Sequence, residues 1–154
     1  MNISDFPKNK NHIFELIKNK KEVYLFGAGV ICEKTFSSLD SLKFNGIFDN
    51  STNLQDTYEN NLKIIAPKNI KKINLNNLFI IITTTSFKNV IEQLEKHGLK
   101  KNKNFCVSHL LKDQFVIEEI QSLSQNLLFS SGSPKIESNK FGGGIYKLKI
   151  NEDK

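Results

Sequence analysis

The stretch Glu22–Lys34, EVYLFGAGVICEK, decides the fold. Val23–Phe26 is an uninterrupted apolar run, and the tripeptide GAG follows it at positions 27–29. Short apolar runs without alternation are typical of parallel strands that are buried on both faces. Because a helix-like pattern begins directly after the tripeptide, the stretch predicts a strand, a tight glycine turn and a helix.

A turn of this kind is suited to holding a phosphate. Gly27 permits the tight turn, and Gly29 lets a phosphate approach the backbone. The N-terminus of the following helix, at Val30, offers unpaired N–H groups and a partial positive charge. Cys32 stands where G-x-G-x-x-G has its third glycine. We expect it to pack between helix and strand, although a helix N-terminus can also lower the pKa of a cysteine thiol.

The segment GIFDN predicts a second strand, Ile47 and Phe48, that ends in Asp49, 20 residues after Gly29. A carboxylate at this strand end can accept hydrogen bonds from ribose hydroxyls. It favours a free 2′-hydroxyl over a 2′-phosphate, which it would repel. A strand-ending Asp is also a common turn residue, so the spacing to the glycine turn is what supports the ligand interpretation.

The segment TTTS, at 83–86, ends the strongest predicted strand, LFIIITTT at 78–85. In the predicted sheet this loop faces the glycine turn, where ligands of open α/β sheets bind. Thr84, Thr85 and Ser86 are therefore candidates for contacts to a ribose or phosphate. Ser86 is also the predicted N-cap of an amphipathic helix in which Val90, Ile91 and Leu94 face inward and Gly98 is the stop.

Strands alternate with helices along the chain, which predicts a three-layer α/β domain with helices on both faces of a parallel sheet. The order 3-2-1-4-5 follows from right-handed crossovers. Further strands are predicted at 62–67, where Pro67 ends LKIIAP, and at 104–111. The segment 51–61 is predicted to be a loop, and 68–77 a short helix or turn.

Residues 1–128 are predicted to form the Rossmann-like domain. It comprises an N-terminal helix at 5–20 capped by Ser4 or Asp5, a core at 21–111 and a C-terminal helix at 113–128. The sequence 129–154 is a glycine-rich extension. It is either a flexible tail with one stray strand, which the imperfect alternation in IYKLKI favours, or the first strand of a further module. In the second case the chain ends early or another molecule supplies the partner strand.

The composition limits the classes of partner. The net charge is +6, but all 22 basic residues are lysine, so the bidentate arginine contacts of nucleic-acid readers are absent. The lysines are scattered or lie at predicted helix ends, which indicates a solvated face. No apolar run of about 18 residues exists and the N-terminus lacks a signal-peptide core, which predicts a cytoplasmic protein without membrane insertion. In that compartment Cys32 and Cys106 are expected to be free, buried thiols rather than a disulfide.

No catalytic constellation is visible in the sequence. His12, His97 and His109 are far apart along the chain, and none belongs to a recognisable catalytic or metal motif. No carboxylate pair or metal-ligand spacing occurs. The sequence therefore predicts no metal site and names no catalytic residue.

The segments FGAG, IFDN, KIIAP and FIIITTTS resemble a small Rossmann-like domain of bacterial surface-glycan enzymes, over about Lys20 to Leu111. That domain occurs N-terminal to sugar acyltransferases and beside methyltransferases and glycosyltransferases of capsule and lipopolysaccharide pathways. Acyltransferase members bind a nucleotide-sugar with it. The resemblance implies nucleotide contacts from five residues: Gly27, Ala28, Gly29, Asp49 and Asn50.

The chain also departs from that pattern. Val30 and Ile31 stand where acyltransferase members have a histidine, and hexapeptide repeats are absent. Only the binding half of such an enzyme is therefore implied.

Three hypotheses remain open from the sequence. The first is a nucleotide- or nucleotide-sugar-binding module for surface-glycan biosynthesis, with a nucleotide-sugar or NAD as the ligand. The second is a small NAD-dependent sugar-modifying oxidoreductase. The third is a degenerate, non-binding domain that assembles with a protein partner through residues 129–154, and an oligomer is compatible with each hypothesis.

Overall fold

The structure, a computed structural model, describes residues 1–129, 135–141 and 145–151. In these residues it contains a six-stranded sheet and a separate two-stranded sheet. The six-stranded sheet consists of β1 (Glu22–Phe26), β2 (Gly46–Phe48), β3 (Tyr58–Glu59), β4 (Leu62–Ile65), β5 (Leu78–Ile82) and β6 (Phe105–Val107). The α-helices are α1 (Lys10–Ile17), α2 (Val30–Ser38), α3 (Phe87–Lys96) and α4 (Lys112–Phe129). Short 3-10 helices span Ile3–Asp5, Pro67–Lys72 and His109–Leu111.

The sheet has the order β3-β4-β2-β1-β5-β6. All neighbours pair in parallel except β3 and β4, which are antiparallel. The five parallel strands correspond to the five predicted ones, and their order, 3-2-1-4-5, is confirmed. The fold is a Rossmann-like α/β domain with one added antiparallel edge strand.

The added strand β3 lies in the segment that the sequence predicted to be a loop. It pairs with β4 through a two-residue turn at Asn60 and Asn61, whose φ angles are +50° and +61°. Two successive positive φ values define the turn type whose twist matches a hairpin, and asparagine tolerates them better than most residues. The loop prediction failed here because the strand contains only two residues.

The N-terminal helix is shorter than predicted. It begins at Lys10, not near residue 5, and its N-cap is Asn9, whose side-chain oxygen accepts the N–H of His12 at 3.1 Å. The prediction of a cap at Ser4 or Asp5 was therefore wrong. Both of these residues belong to the separate 3-10 helix, which Asn2 caps.

Two predicted strands end early. The strand predicted at 78–85 stops at Ile82, and the one predicted at 104–111 stops at Val107. Ser108 then caps a 3-10 helix by accepting the N–H of Leu110 at 3.3 Å, which turns the chain away from the sheet. A serine hydroxyl competes for backbone donors in this way at the ends of regular elements.

One face of the sheet packs against α1 and α2. Leu25 of β1 and Ile81 of β5 are fully buried in this cluster, together with Cys32 and Leu39 from the α2 region. Val30, the first residue of α2, is by contrast 65% exposed. The inner face of α2 is thus set by Cys32 and Leu39, not by the first residue of the helix.

The opposite face is also buried. The ring of Phe48 lies 4.7 Å from Tyr24 and 6.2 Å from Phe26, measured between ring centroids. Because successive residues of a strand point to opposite faces, these side chains alternate with those of the first cluster. Both faces of the central strands are apolar, which explains the uninterrupted hydrophobic runs in the sequence.

Helix α3 follows the predicted pattern closely. Val90 and Leu94 are buried as expected, and Gly98 ends the segment with a φ of +84°. Ile91 is only half-buried, and Phe87 takes the inward position one turn earlier.

The chain divides into two compact units, Met1–Lys112 and Asp113–Lys154. The second unit contains nearly all of α4 and the antiparallel strands β7 (Lys135–Phe141) and β8 (Ile145–Asn151). The sequence hypothesis of a strand paired with another molecule differs from this arrangement, because the partner strand comes from the same chain. Gly132, Pro134 and the glycine triplet at 142–144 lie outside the described residues, and the predicted domain boundary at 128/129 stays a prediction.

None of the helices in the described part of the chain combines the length and the apolar character that crossing a bilayer requires.

A buried hydroxyl pair offers a test of the packing between α2 and the end of β6. Thr35 and Ser108 are both fully buried, and their side-chain oxygens lie 2.8 Å apart. We expect Thr35→Val, which keeps the side-chain shape, to lower the free energy of unfolding by about 1–3 kcal/mol because it removes a buried hydrogen bond. Urea denaturation measures the change. The exposed Thr52→Val is the control, and equal effects of the two substitutions would contradict the assignment.

Candidate functional site

A cleft of about 240 Å³ opens at the carboxyl ends of β1, β2 and β5. This is the sheet edge at which α/β proteins bind ligands, because the strand order reverses there. The residues that line the cleft are Gly27, Ala28, Gly29, Val30, Ile31, Asp49, Thr83, Thr84 and Thr85. The fold thus brings together three segments that the sequence had picked separately.

Gly27 is required by the geometry of the turn. Its φ is +105°, a conformation that side chains other than glycine rarely adopt. A Cβ on this residue would lie 2.8 Å from the Cβ of Thr84. The N–H of Gly27 donates to the carbonyl of Phe48 at 2.8 Å, which fixes the turn against the end of β2.

Gly29 has a different geometry. Its backbone is extended, with a φ of −174°, and a Cβ added to it would meet no atom within 4 Å. It occupies the N-cap position of α2 and supplies no side-chain capping bond. The open space beside Gly29 therefore lies at the N-terminus of a nine-residue helix whose first N–H groups have no intrahelical acceptor.

Asp49 closes the loop around the turn. Its Oδ2 accepts the N–H of Ala28 at 2.7 Å, and its Oδ1 accepts the N–H of Ser51 at 2.7 Å. Its own carbonyl accepts the side-chain amide of Gln55 at 3.0 Å. The sequence predicted a ligand-facing carboxylate and did not predict these bonds, which hold the half-buried side chain in one orientation.

Thr83, which follows β5, contacts the glycine turn through its hydroxyl. It is buried, and its hydroxyl lies 3.0 Å from the carbonyl of Phe26 and 2.8 Å from that of Gly27. The single hydroxyl proton is thus shared between two acceptors. Thr83 was considered in the sequence as part of the TTTS segment, but its role is to position the glycine turn.

The other residues of this loop differ in exposure. Thr84 is half-buried beneath Gly27, whereas Thr85 and Ser86 are exposed. Ser86 occupies the N-cap position of α3, as predicted, but its side chain makes no capping bond. The N–H of Ser86 donates to the Thr84 hydroxyl at 3.3 Å.

Asn50 makes a reciprocal amide pair with Gln93 of α3. The Asn50 Nδ2 donates to Gln93 Oε1 at 2.9 Å, and Gln93 Nε2 donates to Asn50 Oδ1 at 3.0 Å. Asn50 does not line the cleft, although it follows Asp49 directly.

Cys32 is a packing residue, as predicted. It is fully buried, and burial together with the nearby charge of Glu59 raises the pKa of its thiol to about 11. The thiol is therefore neutral near pH 7 and a poor nucleophile. Cys106 is also buried and free, and burial raises the pKa of its thiol as well.

The histidines lie away from the cleft. His109 contacts Ser38, with its Nε2 3.3 Å from the serine hydroxyl, near the C-terminal end of α2. Burial lowers the pKa of His109, and the positive charge of Lys10 adds to the effect. His12 accepts the backbone N–H of Lys8, and His97 is the C-cap of α3. Within the described residues, no three side chains of His, Cys, Asp or Glu are grouped as metal ligands.

A larger groove, of about 390 Å³, lies at the opposite edge of the sheet, where β1 and β2 begin. Its described lining includes Lys18, Lys20, Lys21 and Lys43 and no carboxylate. Burial and repulsion from Lys103 lower the pKa of Lys20. This groove contains none of the residues that the sequence predicted to contact a ligand.

Residues 19–105 match the family described as C2185-like, N-terminal, which is more than half of the 154 residues. The chain belongs to this family. Comparison with curated protein sequences finds no match. The family match spans every strand of the six-stranded sheet except the end of β6.

Solved structures with a related backbone include UDP-D-quinovosamine 4-dehydrogenase from Vibrio fischeri. It is 18% identical, with a TM-score of 0.48, over 64% of this chain and 86% of that one. RSP, a Rex-family repressor, is 14% identical with a TM-score of 0.45, over 77% of this chain and 67% of that one. RSP has also been solved with beta-NADH, and with beta-NAD+ and operator DNA. Neither likeness assigns a ligand or an activity to this chain.

The two glycines of the turn should respond differently to the same substitution. We expect Gly27→Ala to lower the free energy of unfolding by at least about 2 kcal/mol, because it combines a positive φ with a clash against Thr84. Gly29→Ala should change it by no more than about 0.5 kcal/mol, since the backbone is extended and the Cβ enters open space. Urea unfolding of both variants measures the difference, and comparable losses would contradict it.

Proposed function

We propose that this C2185-like domain is a nucleotide-binding module whose ligand is a nucleotide-sugar or NAD. The observation that carries the proposal is the open space beside Gly29, at the uncapped N-terminus of α2, in a cleft that Asp49 also lines. The same cleft therefore offers backbone donors and a carboxylate acceptor. This combination suits a ligand that has both phosphate and hydroxyl groups.

In this proposal, the phosphates of the ligand bind beside Gly29. The first N–H groups of α2 lack intrahelical acceptors, and the helix macrodipole adds a partial positive charge at the same point. The absence of a Cβ on Gly29 lets phosphate oxygens come within hydrogen-bonding distance of these groups. Val30, which is 65% exposed at the mouth of the cleft, supplies an apolar contact for a sugar or base.

In this proposal, the ribose of the ligand binds at Asp49. Each carboxylate oxygen already accepts one backbone N–H, and each has further acceptor capacity for a hydroxyl. The two backbone bonds keep the carboxylate in a fixed orientation before the ligand arrives. A negative charge at this position favours a ribose with a free 2′-hydroxyl over one with a 2′-phosphate, so NAD is preferred to NADP.

Contacts from the TTTS segment complete the proposed site. Thr84 and Thr85 line the cleft, and the exposed Ser86 hydroxyl is adjacent to them. These side chains can donate hydrogen bonds to phosphate oxygens or to a second ribose.

A binding role is favoured over catalysis by the chemistry of the lining. Among the described residues that line the cleft, Asp49 is the single carboxylate, and none is a histidine or a lysine. The resemblance to domains of surface-glycan enzymes supports a cytoplasmic role in bacterial polysaccharide biosynthesis, in which this module supplies the nucleotide-binding half. The idea of a protein partner at residues 129–154 stays a prediction.

The proposal is tested by thermal unfolding with a panel of NAD, NADP, UDP-, GDP- and CDP-sugars, coenzyme A and S-adenosylmethionine. A ligand present at about 100 times its dissociation constant should stabilise the protein by about 2.7 kcal/mol. We expect a shift with NAD or with one class of nucleotide-sugar. Gly29→Ala should abolish the shift without changing unfolding in the absence of ligand, because its Cβ fills the phosphate position.

Ser41→Ala, an exposed substitution outside the cleft, is the matched control and should keep the full shift. No shift with any compound would overturn the nucleotide-binding proposal. A shift that survives in Gly29→Ala would instead remove the phosphates from the glycine turn.

The Asn50–Gln93 pair permits a test of whether Asn50 contacts the ligand. Asn50→Ala and Gln93→Ala break the same two hydrogen bonds, but only the first removes a side chain beside Asp49. If Asn50 binds the ribose, Asn50→Ala should weaken ligand affinity about tenfold or more, whereas Gln93→Ala should weaken it much less. Isothermal titration of both variants with the panel ligand that binds provides the comparison. Equal losses would limit Asn50 to a structural role.

A further inference from the structure

The groove at the edge of the sheet where β1 and β2 begin combines basic and apolar side chains. Its volume, about 390 Å³, falls in the range that is typical of small-molecule pockets. The charged residues of its described lining are Lys18, Lys20, Lys21 and Lys43, and the apolar ones are Phe14, Ile17, Val23 and Leu42. These residues define a basic groove that the nucleotide-binding proposal does not use.

The positive charge of the basic groove is not neutralised locally. In the described part of the chain none of its four ammonium groups forms an ion pair with a carboxylate. Glu22 directly follows Lys21, but successive residues of a strand point to opposite faces of the sheet. Burial raises the pKa of Tyr24, and the charge of Glu22 adds to this effect, which places Glu22 on the Tyr24 side of β1 rather than on the side of Val23.

The end of a helix explains only part of this cluster. Lys18 is the C-cap of α1, where the helix dipole favours a cation, but Lys43 lies in the loop before β2. The Lys20 Nζ donates to the carbonyl of Asn76 at 3.1 Å, and burial together with repulsion from Lys103 lowers the pKa of Lys20. An anion in the groove would relieve this repulsion.

The backbone donors of the basic groove are already used. The N–H of Lys21 donates to the carbonyl of Asn77 at 3.1 Å, and the N–H of Val23 donates to the Asn45 Oδ1 at 3.0 Å. An anion is therefore bound here by ammonium groups and not by a backbone cradle like that of the glycine turn. Lysine binds phosphate and carboxylate groups as a compact point charge, without the bidentate geometry of arginine.

The apolar side chains lie deeper in the groove than the charges. Phe14 and Leu42 are half-buried and pack against the core, and Val23 is buried, whereas Lys21 and Lys43 are exposed. A flat bilayer surface or a nucleic-acid backbone would meet the exposed lysines but not this apolar floor. A small molecule with an apolar body and a charged group reaches both.

We propose that the basic groove binds a small organic anion that has an apolar body and a phosphate or carboxylate group. The apolar body contacts Phe14 and Leu42, and the lysines neutralise the charge. The basic groove and the nucleotide cleft lie at opposite edges of the sheet, so each site can be tested while the other is empty. Failure of one proposal therefore leaves the other intact.

Isothermal titration of the full chain with n-octyl phosphate tests the site. We expect saturable 1:1 binding, whereas octyltrimethylammonium and inorganic phosphate should each bind at least about tenfold more weakly, because each provides one of the two contacts. The double variant Lys21→Gln/Lys43→Gln should raise the dissociation constant of n-octyl phosphate roughly tenfold. Lys34→Gln/Lys68→Gln is the matched control, since it removes the same charge from two exposed positions outside the groove and should keep the wild-type affinity.

The absence of n-octyl phosphate binding up to about 5 mM would overturn the proposal. So would equal losses in the two double variants, or binding of inorganic phosphate or octyltrimethylammonium as tight as that of n-octyl phosphate. A polyglutamate peptide and a DNA duplex are titrated in parallel. If one of these polymers binds through Lys21 and Lys43 while n-octyl phosphate does not, the occupant is a macromolecule and the small-molecule proposal is wrong.

Discussion

The hydrogen bond from the Ala28 N–H to the Asp49 carboxylate is the interaction on which the candidate site depends. It joins the loop after β1 to the loop after β2, and the bond from Gly27 N–H to the carbonyl of Phe48 lies beside it. From the other side, the Thr83 hydroxyl contacts the carbonyls of Phe26 and Gly27. The turn is therefore held by both neighbouring strands, which fixes where α2 begins.

These hydrogen bonds around the turn explain why the two glycines are not equivalent. Gly27 takes part in these bonds and lies against Thr84. Its positive φ is needed for the tight turn between β1 and α2. The backbone of Gly29 is extended, and the space that a Cβ on this residue would occupy is open. The conformation of the turn explains the first glycine but not the second. In the proposed function, the second leaves room for a phosphate at the N-terminus of α2.

The parallel sheet could be predicted from the sequence because both of its faces are apolar, and such strands appear as continuous hydrophobic runs. Strand β3 could not, since Tyr58 and Glu59 form an exposed or half-exposed two-residue edge without a pattern. Its one local indication was Asn60-Asn61, a pair that accepts two positive φ angles. The cap of α1 was missed for a related reason: several polar residues near the N-terminus can cap a helix, and the choice of Asn9 depends on tertiary context.

The sequence indicated which segments meet at the cleft, but not the hydrogen bonds that their residues make. Spacing alone placed Asp49 at the cleft, but the donors that it binds come from loops whose geometry the sequence does not specify. Likewise, Asn50 and Gln93 are 43 residues apart, and no local pattern links them. Asp49 and Thr83 thus contribute to folding whether or not a ligand is present, so loss of binding in an Asp49 variant would be ambiguous. Substitutions at Gly29 and Thr85 are less ambiguous, because a Cβ on Gly29 would meet no atom within 4 Å and the Thr85 side chain is exposed at the cleft. Substitutions at these two positions separate recognition of a ligand from formation of the turn.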